Sequence, residues 1–372
     1  MATTDWVALM KRLGEDFAKR SASHDEDDSF VAENYAALKE HGAFAAGVPA
    51  ELGGGGASHA ELCDMLRELA RHCSSTALAF SMHTHPIAAQ AYNWRAGNKA
   101  PEGLLKRVAA EKLICSTSGG SDWLNGSGKL EKVEGGFRLT GRKIFGSGGP
   151  AADLLLTMGI YDDPKDGPTI IHVPVPFKAE GVKILNTWKV MGMRGTGSHD
   201  ISLEGVFIPD AAAGGVRRTP GKWHPAMHVI VLIALPVVYA VYLGAAESAR
   251  DIALGLAQKR KTDPVLPILI GELEREITTA RVVHADAVRL AATAKPGPET
   301  TAEMLTRRGI IGVALVKTVE KAMEVAGGAG FYRDAGLERL FRDVQASRFH
   351  PLPDKAQLRL TGRSLLGLDI DG

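Results

Sequence analysis

The chain has 372 residues, of which 45% are hydrophobic, with 44 basic and 43 acidic side chains. Its length exceeds one typical domain, and its hydrophobic content excludes a disordered chain. A net charge of +1 provides no general attraction for nucleic acid or acidic membranes, so we expect neither partner. The three cysteines lack metal-ligand spacing, which excludes a zinc site and a disulfide framework; we expect no metal and a reducing, cytoplasmic location.

One apolar segment needs an interpretation before the fold is considered. Residues 229–246 form 18 residues without a charge, which is the length at which a membrane span becomes possible. The segment contains Pro236 and two tyrosines and continues into an amphipathic stretch. We therefore interpret it as a central core or oligomer-interface helix. The amphipathic, acid-containing N-terminus predicts neither a signal peptide nor a transit peptide.

Residues 1–112 are predicted to form an N-terminal all-α domain. A Pro/Gly loop at 47–58 separates two helical patterns, and Ser58 or His59 is expected to open the second helix. A further helical run at 77–91 carries His83 and His85. The apolar residues at helical spacing are Val31, Tyr35 and Leu38, then Leu62, Met65, Leu66 and Leu69.

Residues 113–216 change to a period of two and are predicted to form a middle β domain. Gly135 and Gly136 mark a hairpin turn, and β-rich runs follow at 153–161, 169–175 and 182–188. Since no helical segment separates these runs, we expect an antiparallel sheet that closes as a barrel.

Residues 217–372 return to a helical period and are predicted to form a C-terminal α domain. Long helical runs occupy 226–260 and 266–293, a loop lies at 295–300, and another apolar helical pattern follows. Short connections between long helices predict an up-and-down bundle that resembles a four-helix bundle.

Motifs along nearly the whole chain resemble those of the acyl-CoA dehydrogenase superfamily of flavoproteins. The sequence VPAELGGGGAS at 48–58 resembles the family's Pro-Glu-x-x-Gly-Gly loop, and CSTSGGSD at 115–122 its flavin strand. GRKIFGSG at 141–148 and MGMRGTGSHDISLEGVFIP at 191–209 resemble its next strands. EVAGGAGF at 324–331 resembles its Gln-x-x-Gly-Gly-x-Gly-Tyr motif, and LFRD at 340–343 its Arg-Asp pair. The order of these motifs carries the resemblance.

The resemblance implies an FAD site, and it assigns residues to that site. Hydroxyls on two strands would meet the polar edge of the flavin, with Phe145 packed against the ring. The implied residues on these strands are Ser116, Thr117, Ser118, Ser121, Phe145, Gly146 and Ser147. Arg260 would pair with the pyrophosphate from a neighbouring subunit, and the loop of Gly327, Gly328 and Gly330 would approach the ADP portion. Glu324 stands where the family usually has glutamine.

The catalytic base of the dehydrogenases has no counterpart at its expected positions. The glutamate position after the Arg-Asp pair is Pro351, and the alternative position on the long helix falls near His228. Another group, such as His350, His228 or Asp354, would then act as the base. Alternatively, the chain resembles the superfamily's flavin monooxygenases, which use reduced flavin, oxygen and histidines. His350 and His83 match two histidines of that branch, and histidine suits proton transfer near neutral pH.

These patterns predict a flavin-dependent oxidoreductase. The first expectation is α,β-dehydrogenation of an acyl-CoA thioester in fatty acid metabolism, with an electron-transfer flavoprotein as partner. The alternative is a two-component monooxygenase that receives reduced FMN or FAD from a flavin reductase. A third interpretation is a non-catalytic flavin- or acyl-CoA-binding protein that lacks the base. The resemblance also implies a homo-oligomer, with a tetramer or dimer expected.

Overall fold

The computed structural model describes residues 4–118, 120 and 122–371. Helices occupy both ends of the chain, and strands occupy its middle, which confirms the predicted α–β–α order. The described helices are α1 Trp6–Glu26, α2 Ala32–Glu40, α3 His59–His72, α4 Ser74–Arg95, α5 Glu102–Glu111, α6 Pro225–Ala257, α7 Leu266–Thr293, α8 Pro298–Ala326, α9 Leu337–Val344 and α10 Asp354–Leu365. The predicted domain boundaries at 112 and 216 stay predictions.

The middle region forms one mostly antiparallel sheet. Its described strands are β1 Cys115–Thr117, β2 Lys129–Val133, β3 Gly136–Lys143, β4 Leu154–Asp163, β5 Gly167–Pro176, β6 Val182–Ile184, β7 Ile201–Pro209 and β8 Arg217–Arg218. They follow the order β6-β7-β3-β2-β4-β5-β8, and β1 pairs with β4 beside β2. The β2–β3 hairpin turns at Gly135, whose φ of 73° is the left-handed conformation that glycine adopts at little cost.

Two predictions about this sheet were wrong. Among the described residues β6 and β8 end the strand order without pairing with each other, so the barrel is not closed. In addition, β1 and β2 both run parallel to β4. We expected only antiparallel pairs because no helix separates the strands. In the structure the β2–β3 hairpin and the turn at Gly149–Ala151 provide the crossover that a helix usually provides.

The helices begin and pack as their sequences predict. Ser58 caps α3: its hydroxyl accepts from the Glu61 amide at 3.2 Å, and the Glu61 carboxylate accepts from the Ser58 amide at 2.8 Å. The apolar residues at helical spacing on α2 and α3 are buried in one core that also contains α6, α7 and α8. The helical C-terminal region is confirmed, whereas the number and up-and-down order of its bundle helices stay predictions.

The long apolar helix α6 lies at the centre of this core. It is the one described helix that is long and apolar enough to cross a membrane, but 89% of its most apolar window is buried by other parts of the chain. The interpretation as a core helix is therefore confirmed. Its Glu247 is buried and bonded to Arg67 at 2.9 Å and to Arg281 at 2.6 Å, which joins α6 to α3 and α7.

Candidate functional site

The strand β1 and residues 145–148 form one end of the sheet, which we call the sheet edge. The Ser116 hydroxyl donates to the Ser147 carbonyl at 2.9 Å and holds the two segments together. The Ser147 hydroxyl lies 2.7 Å from that of Ser198, and the Ser118 hydroxyl lies 2.7 Å from that of Thr157. These three hydroxyls are thus committed to protein partners. Thr117 is half-buried, and Ser121 lies outside the described residues.

Phe145 gives the sheet edge an exposed aromatic wall. Its side chain is 42% exposed, and its φ of 59° is a left-handed conformation that non-glycine residues rarely adopt. The ring packs edge-to-face with Trp188, with ring centres 6.0 Å apart. Gly146 follows, and a Cβ there would lie 2.5 Å from Ile201. An exposed ring beside hydroxyls and close-packed backbone fits a planar flavin with an apolar face and a polar edge.

His83 links this edge to α4 instead of facing open space. Its Nδ1 accepts a hydrogen bond from the Cys115 amide at 2.9 Å, which requires the proton to be on Nε2. Nε2 then donates to the Phe44 carbonyl at 2.7 Å. Burial lowers the pKa of His83 to about 4. Both ring nitrogens are therefore occupied by backbone, and this geometry suits a structural link better than proton transfer.

The predicted catalytic residue His350 packs instead against Tyr242, and His85 lies within electrostatic range of it. We call these three residues the histidine cluster. The Tyr242 hydroxyl of α6 lies 2.6 Å from His350 Nε2. His85 of α4 is near enough to His350 for their protonated forms to repel each other. The sequence match pairs His83 with His350, whereas the structure brings His85 within electrostatic range of His350. The catalytic assignment of His83 stays a prediction. Among the described residues no group hydrogen-bonds the ring of His85.

The protonation state of the cluster follows from burial and from one buried hydroxyl. Burial, together with repulsion from His350 and His83, lowers the pKa of His85 to about 3. Burial, together with Arg308, lowers the pKa of His350 to about 4. Both rings are therefore neutral near pH 7. Burial raises the pKa of Tyr242 well above its ordinary value, so the hydroxyl keeps its proton and donates it to His350 Nε2. His350 then carries its own proton on Nδ1.

The acids near this cluster are bound elsewhere. Asp354, a candidate base from the sequence, accepts a hydrogen bond from Arg308 at 2.5 Å. Asp343 is 1% exposed and accepts from the Ser74 hydroxyl and the Met193 amide, so the Arg-Asp motif joins α9 to α4 and to the loop before β7. Glu247 on α6 is held by arginines. Among the described residues no carboxylate hydrogen-bonds His350 or His85.

The remaining implied cofactor residues form a second group at the ends of α6 and α8. Arg260 is exposed, donates to the Val325 carbonyl, and lies against Gly327, where a Cβ would approach its Nη1 to 3.2 Å. Gly328 is exposed and Gly330 is buried. Glu324 forms an ion pair with Lys321 at 2.9 Å. Among the described residues no hydrogen bond joins this group to the sheet edge, whereas Arg260 and the glycine loop do lie together.

The other histidines considered from the sequence have local partners. His228 lies 2.7 Å from the Thr301 hydroxyl and stacks on Trp223, with ring centres 5.3 Å apart. His199 Nδ1 accepts from the Trp188 amide at 3.0 Å. The sequence patterns did not point to Tyr242. A tyrosine inside a charge-free core helix is the signal that could have identified it, because a buried hydroxyl needs a partner.

Two family models match this chain. The model described as "Acyl-CoA dehydrogenase, N-terminal domain" matches residues 8–111, and "Acyl-CoA dehydrogenase, C-terminal domain" matches residues 237–354. Among curated relatives, "Putative acyl-CoA dehydrogenase YdbM" of Bacillus subtilis (strain 168) is 30% identical over 94% of both chains. "Pigment production hydroxylase" of Rhodococcus sp. is 28% identical, over 94% of this chain and 93% of the relative.

Solved structures with the same fold include one that is named as a monooxygenase. KijD3, solved in complex with FMN and a dTDP-linked amino sugar, is 25% identical with a TM-score of 0.89, over 100% of this chain and 96% of KijD3. The methanesulfinate monooxygenase MsuC from Pseudomonas fluorescens has a TM-score of 0.85 at 20% identity, over 97% and 96% of the two chains. At that identity the second likeness concerns the fold alone.

Proposed function

The chain belongs to the acyl-CoA dehydrogenase family, and from that premise we propose that it is a flavin-dependent monooxygenase that uses reduced flavin and oxygen. The observation that carries this proposal is the histidine cluster. His350 precedes Pro351, which stands at the glutamate position implied by the resemblance, and no described carboxylate hydrogen-bonds His350 or His85. A neutral imidazole cannot replace a carboxylate as an anion, and the lowered pKa values of these histidines keep both rings neutral near pH 7. A neutral ring can still pass a proton, because one nitrogen donates a proton while the other accepts one.

Each residue of the cluster has a proposed role. Tyr242 orients His350 and fixes its tautomer, so that Nδ1–H is the donor offered to a bound ligand. His85, whose ring no described residue hydrogen-bonds, is the second proton carrier. Because both rings are neutral, the site avoids the cost of a buried charge. A bound reduced flavin would supply the electrons that activate oxygen.

The sheet edge is the proposed place for the flavin ring. Phe145 would pack on the ring, and Thr117 together with backbone groups of 145–147 would meet its polar edge. Ser116, Ser118 and Ser147 support these segments through their own hydrogen bonds. The link from His83 to Cys115 fixes α4, and thus His85, relative to this edge. One short connection therefore relates the proposed flavin position to the histidine cluster.

We propose FMN as the flavin, since the relative KijD3 was solved with FMN. A separate flavin reductase would then supply it in reduced form. FAD is the alternative, and Arg260 with the glycine loop of 327–330 would serve its pyrophosphate and adenosine from a neighbouring subunit of a homo-oligomer. The Glu324 carboxylate is exposed beside this loop and would repel phosphate, which favours the smaller flavin. The substrate class is a small molecule.

Acyl-CoA dehydrogenation is the second candidate. It is favoured by the match to YdbM and by the two family models. The base would then be one of the histidines, since Glu247 and Asp354 are both paired with arginine. The third candidate is a non-catalytic protein that binds flavin or acyl-CoA. An experiment has to distinguish it from both enzymes.

The test begins with the flavin content of the purified protein. For a monooxygenase we expect colourless protein that binds reduced FMN more tightly than oxidised FMN. With a flavin reductase and indole as an aromatic probe, isotope-labelled oxygen from O₂ should enter the product. Yellow protein that is bleached anaerobically by butyryl-CoA would instead establish dehydrogenation and overturn the proposal. Flavin binding without either reaction, across a panel of aromatic, amino-sugar and acyl-CoA probes, would favour the non-catalytic protein. The double variant His85→Gln/His350→Gln is the matched control for oxygen transfer.

A further inference from the structure

A single buried arginine of α8 hydrogen-bonds the backbone segment that carries His350. Arg308 is 2% exposed. Its Nη2 donates to the carbonyls of Ser347, Arg348 and His350 at 3.2, 3.2 and 3.0 Å. Nη1 binds Asp354, Nη2 shares its protons among the three carbonyls, and the buried Nε has no partner among the described residues. Most of the hydrogen bonding of this guanidinium therefore comes from one short stretch of main chain. The stretch 347–350 is therefore shaped around the guanidinium.

Helix α6 holds the same stretch from another side. The Tyr239 hydroxyl donates to the Ser347 carbonyl at 2.6 Å, and the Arg308 guanidinium lies 5.6 Å from the centre of the Tyr239 ring. One turn further along α6, Tyr242 donates to the ring of His350. The backbone of 347–350 is thus fixed by Arg308 and Tyr239, and the imidazole at its end is fixed by Tyr242.

We propose that Arg308 is a positioning residue for His350, which clamps the 347–350 backbone and so sets where the imidazole is presented to the reacting molecules. The proposal rests on the proposed function, in which His350 is a proton carrier. This new proposal adds to the proposed function a role for Arg308, a residue of α8 that does not hydrogen-bond the His350 ring. Arg308 also acts through its charge, since burial and then Arg308 lower the pKa of His350.

The charged and titratable groups around His350 come from four helices. His85 faces it from α4, Tyr239 and Tyr242 from α6, Arg308 from α8, and Asp354 opens α10 beside Arg308. The tyrosines keep their protons because burial raises their pKa values. Asp354 pairs with Arg308 and partly offsets its charge, while His85 adds no charge near pH 7. Arg308 is thus the permanent cation of this environment.

The alternative role for Arg308 is to hold α10 against α8. Its Nη1 donates to Asp354 in the first turn of α10 at 2.5 Å. If that ion pair were the purpose of Arg308, the loss of Asp354 would have the same effect as the loss of Arg308. If the clamp is the purpose, the loss of Asp354 leaves the three carbonyl bonds in place. The two roles are separated by the matched pair Arg308→Met and Asp354→Asn.

The experiment measures two properties of the full-length protein in the absence of flavin. Hydrogen–deuterium exchange reports the opening of 345–350, and NMR titration of labelled histidines, assigned with His350→Gln, reports the pKa of His350. For Arg308→Met we expect at least about tenfold faster exchange in 345–350 and a His350 pKa that rises by roughly one pH unit. For Asp354→Asn we expect exchange in 345–350 to stay close to wild type.

The variant Arg308→Lys distinguishes the effect of the positive charge from the effect of the hydrogen bonds to 347–350. It also replaces Arg308→Met in the experiment if that variant fails to fold. Lysine keeps the positive charge, but its single nitrogen ends one bond short of the position of Nη2 and cannot bind Asp354 and the three carbonyls together. We expect faster exchange in 345–350 with a His350 pKa that stays low. Wild-type exchange in both Arg308 variants, or equally fast exchange in Asp354→Asn, would overturn the proposal. Neither measurement uses flavin or substrate. Full activity in His350→Ala would overturn the proposed role of His350 in the reaction. The exchange measurements on the Arg308 variants would still decide whether Arg308 holds the 347–350 backbone.

Discussion

The sheet edge and the histidine cluster are both polar, yet they satisfy their polar groups in opposite ways. At the sheet edge the hydroxyls of Ser116, Ser118 and Ser147 are bonded to other protein groups. In the histidine cluster, His350 is bonded through one nitrogen, and no described residue hydrogen-bonds the ring of His85. The side chains of the sheet edge stabilise the local fold through these hydrogen bonds. The histidine cluster leaves ring nitrogens that can hydrogen-bond a ligand.

The same contrast separates two histidines on one helix. His83 belongs to the first kind, because both of its nitrogens bind backbone, and His85 belongs to the second. The two backbone partners of His83 hold α4 to its neighbours, whereas the ring of His85 binds no described residue and can meet a ligand. Saturation of hydrogen bonds is therefore a more useful guide to function here than residue type.

The largest effect is expected from His350→Ala. Removal of the Nδ1–H donor should lower flavin-dependent turnover of the probe by about a hundredfold or more, which is the range for a lost proton carrier. Reduced-flavin affinity should stay near wild type, because the sheet edge is untouched. Steady-state kinetics and flavin titration measure the two quantities. His228→Ala is the control, since it removes a buried histidine from the same helical region; full turnover in His350→Ala would remove His350 from the reaction.

The second prediction sets His83→Gln against His85→Gln. Glutamine can take the position of Nε2 but not that of Nδ1 as well, so at least one of the Cys115 amide and the Phe44 carbonyl loses its partner. We therefore expect the free energy of unfolding to fall by about 1 to 3 kcal/mol. Loss of His85 breaks no hydrogen bond to a described residue, so stability should change little while turnover falls at least about tenfold.

Denaturant unfolding and steady-state kinetics on both variants check this prediction. If His83→Gln kept wild-type stability but lost turnover, the division between a structural and a functional histidine would be reversed. If both variants lost stability equally, the contrast between the two histidines would have no basis.

The order of helices and strands was accessible from the sequence because hydrophobic periodicity reports burial directly. The boundaries of α7 and the capping of α3 by Ser58 followed from local patterns. The parallel pairs of β4 did not, because strand pairing depends on where distant segments meet. Closure of the sheet depends on the same long-range geometry, and the periodicity of β6 and β8 carries no information about it.

The site was accessible in part for a similar reason. The sequence pointed to His350, and of the two histidines on α4 it pointed to His83 and not to His85. Residues two positions apart on a helix face different directions, so only one of the two could reach His350. Which one depends on the rotation of α4 against β1 and α6. Arg308 was missed because its partners are backbone carbonyls about forty residues away, which leave no pattern in side-chain identity.

The third prediction concerns acid stability and two buried histidines, His83 and His284. The pKa of His83 is about 4 in the folded chain against 6.5 ordinarily, and that of His284, whose Nε2 is 2.9 Å from the Pro236 carbonyl, is also about 4. The unfolded chain therefore binds more protons between these values. Stability is complete above about pH 6.5 and is lost as the pH falls towards 4, with roughly 2 kcal/mol lost per histidine near pH 5.

Urea unfolding at a series of pH values measures this loss, and His83→Gln should show a shallower dependence on pH than wild type. A free energy of unfolding that stayed constant between about pH 7 and pH 5 would show that these histidines are protonated in the folded chain. The saturated hydrogen bonds described for His83 would then be incorrect.

The smallest effect is expected from Arg260→Ala, which compares the second cofactor group with the sheet edge. Arg260 is exposed and spends one donor on the Val325 carbonyl, so its other donors are free to meet a phosphate from solvent or from a second copy of the chain. If FAD binds across two copies, the variant should weaken FAD by roughly tenfold, the value of one charge-assisted hydrogen bond, and leave FMN unaffected. Lys259→Ala, one residue earlier and also exposed, is the control for loss of charge. Equal affinities of wild type and Arg260→Ala for both flavins would remove the group at 324–330 from cofactor binding and leave the sheet edge as the proposed flavin site, as FMN requires.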